Sequence, residues 1–163
     1  MASIYEGVKE LNYDRKRTIK NVSSFFGDPT AINSSSEFKD LIDLAHLTSN
    51  DLMYHSPVIS DMPKATSFGN HTEDATIRLM EKMSESEIAK WKIQCILKAI
   101  RNMDGRFGNL LFNRHFRNMT FDELADLTGY SSANLSKLLN TAYLKLALWT
   151  ADELDLIVSV DNQ

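Results

Sequence analysis

The stretch that decides the fold is Thr120-Phe121-Asp122-Glu123-Leu124-Ala125-Asp126-Leu127-Thr128-Gly129-Tyr130-Ser131-Ser132-Ala133-Asn134-Leu135-Ser136-Lys137-Leu138. Thr120 and Glu123 stand at the spacing of a capping box. The hydroxyl accepts from the amide of residue 123, and the carboxylate reaches back to the amide of Thr120. A first helix over Phe121–Thr128 follows. Gly129 suits a left-handed turn, which costs glycine little. Ser131 or Ser132 then caps a second helix that runs to about Leu148. Within this unit Ala125 is small, as a close helix crossing requires. Gly129 falls four residues later at the turn, and Leu135 falls six after that as the apolar anchor. With Leu124, Tyr130 and Leu138 as the remaining core, this spacing describes a helix-turn-helix.

A helix-turn-helix that docks on DNA inserts the N-terminal part of its second helix into the major groove. Ser131, Ser132, Ala133, Asn134, Ser136 and Lys137 are the exposed positions there. Asn pairs with adenine in bidentate fashion, and Lys reaches guanine or phosphate. Ser131 and Ser132, at a helix N-terminus, suit a phosphate. Arg114, His115, Arg117 and Lys145 are candidates for contacts to the DNA backbone, which fix register without reading sequence.

Working outward, charge supports the same reading locally. The net charge of −4 argues weakly against nucleic acid. Residues 86–118, however, carry seven basic groups (Lys90, Lys92, Lys98, Arg101, Arg106, Arg114, Arg117) against Glu87 and Asp104. This basic block lies just ahead of the proposed reader. DNA binding needs a local positive face rather than a positive total. The reader itself is weakly charged, so the block is expected to supply most of the attraction to phosphate.

The rest of the chain reads as helical. Residues 4–26 form one helix or two short ones, with the charged stretch Asp14–Lys20 between apolar positions, and Gly27-Asp28-Pro29 ends them. Ser36 caps a helix that buries Phe38, Leu41, Ile42 and Ala45. From Ser49 to Asn70 the periodicity is lost, and Ser56-Pro57 and Met62-Pro63 discourage helix before each proline. A long helix is expected over 72–103, with a break near Ser84–Ser86. The glycines make Asp104-Gly105-Arg106-Phe107-Gly108 a loop, and Leu110, Leu111, Phe112 and Phe116 form the next short helix. The expected fold class is all-α, divided into a helical N-terminal region (1–48, for assembly or partner contact), a linker or arm (49–71), a helix-turn-helix domain (72–150) and an acidic-apolar tail (151–163). That tail packs on the body or forms a contact surface for a second copy or for RNA polymerase.

Other chemistries find little support. Cys95 is the lone cysteine and sits in an apolar run, as a buried inert thiol would. The four histidines show no His-Glu-x-x-His spacing and there is no cysteine pair, so no metal and no cofactor are expected. Gly105-Arg106-Phe107-Gly108 lacks the Lys and the Ser/Thr of a phosphate loop. Nucleophile motifs are absent, and an enzyme is not expected. No signal peptide or membrane-spanning run is visible, so a cytoplasmic protein without membrane contact is expected.

Over residues 54–149 the chain resembles the ArpU family of phage transcriptional regulators, found in prophages of Gram-positive bacteria. The resemblance rests on Ser56-Pro57-Val58-Ile59-Ser60-Asp61-Met62-Pro63, with Gly69-Asn70 and Glu73 after it. It continues through Ala99-Ile100, Leu127-Thr128-Gly129-Tyr130-Ser131-Ser132, Ala142 and Ala147. It implies control of late phage genes for packaging and lysis. It also implies a four-helix C-terminal half similar to the promoter-reading region of sigma factors, with Ser131, Ser132, Asn134 and Lys137 facing DNA. Leu135-Ser136-Lys137-Leu138 is less basic than many sigma-like readers, so affinity is expected to draw on a dimer or a partner. Two other readings fit the motif. One is a DNA-packaging subunit that marks DNA with it, and the other is a protein-interaction module that has lost DNA binding.

Overall fold

The computed structural model describes residues 12–31, 34–47 and 84–160. These fold into α1 (Arg15–Phe26), α2 (Glu37–Ala45), α3 (Glu85–Asn102), α4 (Gly105–Leu111), a π-helical turn (Phe112–Phe116), α5 (Phe121–Thr128) and α6 (Ser132–Trp149). The architecture of the described residues is all-α. The linker over 49–71, the Ser-Pro arm and the part of the expected 72–103 helix before Ser84 lie outside the described residues.

The caps explain where the helices begin. Asp14 accepts from the amide of Arg17 at 3.0 Å and starts α1. The charged stretch from Asp14 to Lys20 is therefore the cap and first half of α1; the part of the expected 4–26 helical region before residue 12 lies outside the described residues. Ser36 caps α2, and Ser84 and Glu87 make a full capping box at the start of α3. Between α1 and α2 the Lys39 ammonium donates to the carbonyls of Asp28, Ala31 and Ser34 and to the Ser34 hydroxyl, at 3.0 to 3.2 Å. That one cation closes the loop over residues 28–34.

Helices α3 and α6 hold the described core together. Of the buried residues of α3, Ala89, Ile93, Ile96, Leu97, Ala99 and Ile100 form one broad face about 160° wide, with Trp91 buried on the opposite side. Helix α3 packs against α2, α4 and α6. The segment expected to be a loop, Asp104–Gly108, is instead the start of α4, with Asp104 as its cap. A Cβ added to Gly108 would stand 2.5 Å from the carbonyl oxygen of Ile100. Glycine there serves a close approach of α4 to the end of α3, not a turn.

Residues 1–48 read in sequence as a region of their own. Its described helices instead share one core with the rest. Val22, Phe25, Phe26, Phe38, Leu41 and Ala45 belong to the same buried cluster as α3, α4 and α6. Helix α1 packs on α6. The C-terminal tail lies on α1. Val158 O accepts from the Asp14 amide at 2.8 Å, the Val158 amide donates to Thr18 Oγ1 at 3.0 Å, and Asn21 Nδ2 donates to Leu156 O at 2.9 Å. Leu154 and Leu156 are buried beneath it.

Candidate nucleic-acid interface

The interface is built on α5 and α6. The Thr120 amide donates to Glu123 Oε2 at 2.9 Å, and the Glu123 amide donates to Thr120 Oγ1 at 3.2 Å, which closes the capping box. Helix α5 ends at Gly129, whose φ is 76° and whose amide donates to Ala125 O at 2.8 Å. No atom lies within 4 Å of where a Cβ would stand, so the backbone angle alone calls for glycine. Ser131 is the cap of α6, accepting from the Asn134 amide at 3.3 Å.

Leu124 and Leu135 are fully buried, and Ala125 and Leu138 are half-buried against the core. Tyr130, expected in that core, is 36% exposed. The left-handed turn at Gly129 carries residue 130 outward before the helix resumes. Leu139, 2% exposed, fills the next helical turn beneath Leu135 instead.

The two halves of α6 differ. Ser132, Ala133, Asn134, Ser136, Lys137 and Asn140 are exposed. From Ala142 on, the helix is largely covered. Each residue advances about 100° around a helix, which puts Ala133, Lys137 and Asn140 on one outward stripe opposite the buried one. Leu144 continues that stripe and is 8% exposed, so the helix enters the body there. The free part, residues 132–140, is about 13 Å long. A B-DNA major groove is about 12 Å wide.

The proposed contact residues do not all gather at this edge. Ser131, Ser132, Asn134, Ser136 and Lys137 share the free half of α6. Arg114 lines a cleft of about 350 Å³ together with Ser23, Ser24, Ser136, Asn140 and the Asp28 carboxylate, with which its charge interacts. Its Nη1 donates to Met119 O at 2.8 Å and its guanidinium lies 4.6 Å over the Phe121 ring, so it also ties the π-helical turn to α5. Arg117 is exposed and donates to Asn113 Oδ1 at 3.3 Å. Lys145 lies beyond Leu144 in the covered half, with its ammonium 5.2 Å from the Phe107 ring. It is about 12 Å along the axis from Lys137 and does not join the group.

The basic block is likewise divided. Lys98 lies near Cys95 and Glu153, at the tail. Arg106 stacks on Phe107, 4.7 Å from the ring centre. Only Arg114 of the block lines the cleft beside the reader. Asp122, Glu123 and Asp126 are exposed on α5, so that outer face is negative.

Beneath the reader lies a buried aromatic group. His115 Nε2 and the Tyr143 hydroxyl share a 2.7 Å hydrogen bond, and the imidazole stacks on Phe26 at 4.1 Å. Burial, helped by the Arg114 charge, pushes the His115 pKa down to about 3. The ring is a neutral packing element that joins α1, the π-helical turn and α6. Burial also pushes the half-buried Cys95 thiol up to about 12, where no reactive thiolate forms near neutral pH. Among the described residues no three His, Cys, Asp or Glu side chains gather as a metal site requires, and no helix is long and apolar enough to cross a membrane.

Sequence reasoning missed two residues of this edge, Leu139 and Asn140. Both were accessible to helical periodicity, at four residues after Leu135 and three after Lys137.

Comparison with known families, characterised proteins and solved structures finds no match to the chain.

Proposed function

We propose that this protein binds double-stranded DNA sequence-specifically through the free half of α6 and regulates transcription. The observation that carries this reading is a helix with a polar, exposed N-terminal half of groove-sized length, set behind a capped helix and a left-handed glycine. The sequence resemblance to ArpU-type regulators extends the proposal to activation of late phage genes in the cytoplasm of a bacterial host. RNA polymerase and a second copy of the chain are the proposed protein partners. Arg117 holds phosphate, Ser131 and Ser132 meet the backbone at the helix start, and Lys137 reaches the groove.

The test is selection of bound duplexes from a randomised DNA pool with the full chain, followed by salt titration of the enriched site. Enrichment of one motif is expected, with log affinity falling linearly against log salt by about 0.9 per phosphate contacted. Salt-independent binding, or no binding, would sink the reading. One observation favours a second reading. The exposed face of α5 combines Asp122, Glu123 and Asp126 with Leu127, which is 57% exposed. That suits a protein-interaction module. Failure to bind any duplex, with one stoichiometric protein partner retained, would favour it.

A further inference from the structure

We propose that Asn140, rather than Asn134, is the asparagine that reads an adenine. The inference rests on the DNA-binding reading and names the residue that gives it sequence preference.

Both side chains are exposed on α6, but they look in different directions. At about 100° per residue, Asn140 lies within about 60° of both Ala133 and Lys137, on the outward stripe. Asn134 lies on the other flank, about 40° from the half-buried Leu138 that packs toward the core. Asn140 also lines the cleft that holds Arg114 and Ser136. Arg114 is fixed there by the Met119 carbonyl and the Phe121 ring. Its guanidinium has five N–H donors, and one is spent on that carbonyl. The Asp28 carboxylate lines the same cleft and interacts with the Arg114 charge, so Arg114 there faces an acid rather than an open anion seat. On the outward stripe the Asn140 amide oxygen accepts from adenine N6 while the amide nitrogen donates to N7.

Asn134 stands in the first turn of the helix, where its backbone amide donates to Ser131 Oγ. Leu144, the next residue of the outward stripe, is covered. Asn140 thus stands near the exposed end of the stripe, about one turn before the covered Leu144.

The experiment compares the full wild-type chain with Asn140→Ala, Asn140→Asp and Asn134→Ala by selection from the randomised duplex pool. Circular dichroism and thermal melting check each fold. The wild-type motif should contain an adenine whose preference disappears in both Asn140 variants and survives in Asn134→Ala. A bidentate pair to adenine corresponds to a loss of about 5- to 150-fold on the selected site, a larger loss than on unrelated duplex DNA. An enriched motif that Asn140→Ala selects unaltered overturns this assignment and leaves the DNA-binding reading standing. A wild-type chain that enriches nothing overturns both.

Discussion

Helices α3 and α6 are each 18 residues long, yet they are buried in different ways. Along α3 the buried residues run from Ala89 to Ile100 and keep one broad face covered over that whole length. In α6 the first half buries only Leu135 and Leu139, while the second half buries Ala142, Tyr143, Leu144, Leu146 and Ala147. Packing governs α3 throughout. Only the second half of α6 is bound in the same way. The first half keeps a polar exposed surface that contributes little to stability, and such a surface is free to be selected for binding. The difference can be broken or sharpened by substitutions whose effects should separate by helix.

The largest effect is expected in α3. Ile93 is fully buried in the common core. Ile93→Ala removes apolar contacts and leaves a cavity, at about 2–5 kcal/mol. Urea unfolding should record a lower midpoint at similar slope. A loss below about 1 kcal/mol would show that α3 is not a packing centre.

The next effect lies at His115, beneath the reader. Its folded pKa is about 3 against an ordinary 6.5. The folded state therefore refuses a proton that the unfolded chain accepts between those values. The stabilising contribution is complete above pH 6.5 and is lost as pH falls toward 3. The loss is about 1.4 kcal/mol per pH unit, or about 2 kcal/mol between pH 6.5 and 5. Glu153, whose carboxyl pKa is raised by burial, opposes this loss equally in the wild type and in the His115→Gln protein compared with it. The loss of unfolding free energy between pH 6.5 and 5 should be greater in the wild type than in His115→Gln by this amount. Equal slopes in the two proteins would remove His115 from the account.

A smaller effect is expected at the reader's first helix. Thr120→Ala breaks the capping box of α5 at about 1 kcal/mol. Thermal melting checks it, and DNA affinity should fall because α5 supports α6. Unchanged melting would mean that the cap does not hold α5.

What the sequence made legible was local. The Thr120–Glu123 capping box, the Gly129 turn and the bounds of α5 follow from residues within four positions of one another. Gly108 misled because its reason is non-local, a close approach to the Ile100 carbonyl across a helix junction. The joining of α1 to the tail was hidden for the same reason. Asn21 and Leu156 meet across 135 residues of chain, and no periodicity reports such a pair. Tyr130 was misplaced because spacing gives the register of a helix and not the direction in which a left-handed turn releases the chain. Of the candidate edge, Ser131 to Lys137 was readable from the motif. Asn140 needed the exposure of the stripe, and the division of the basic block needed the packing of α3 and α4.

The smallest expected change in stability lies at Lys137, on the free half of α6. It is exposed, and its replacement leaves no cavity and no buried partner unsatisfied. Lys137→Ala should alter the unfolding free energy by less than about 0.5 kcal/mol. On selected duplex DNA the same substitution should reduce affinity and lower the salt slope by about 1 if Lys137 meets a phosphate. If it instead meets a guanine, the salt slope should change less and preference at one base pair should relax. Paired melting and binding measurements on Lys137→Ala and Ile93→Ala then test the comparison directly. Binding should weaken without instability in α6, whereas in α3 it should be lost only through unfolding. A Lys137→Ala protein that melts early, or that binds selected DNA as the wild type does, would erase the distinction between the two helices.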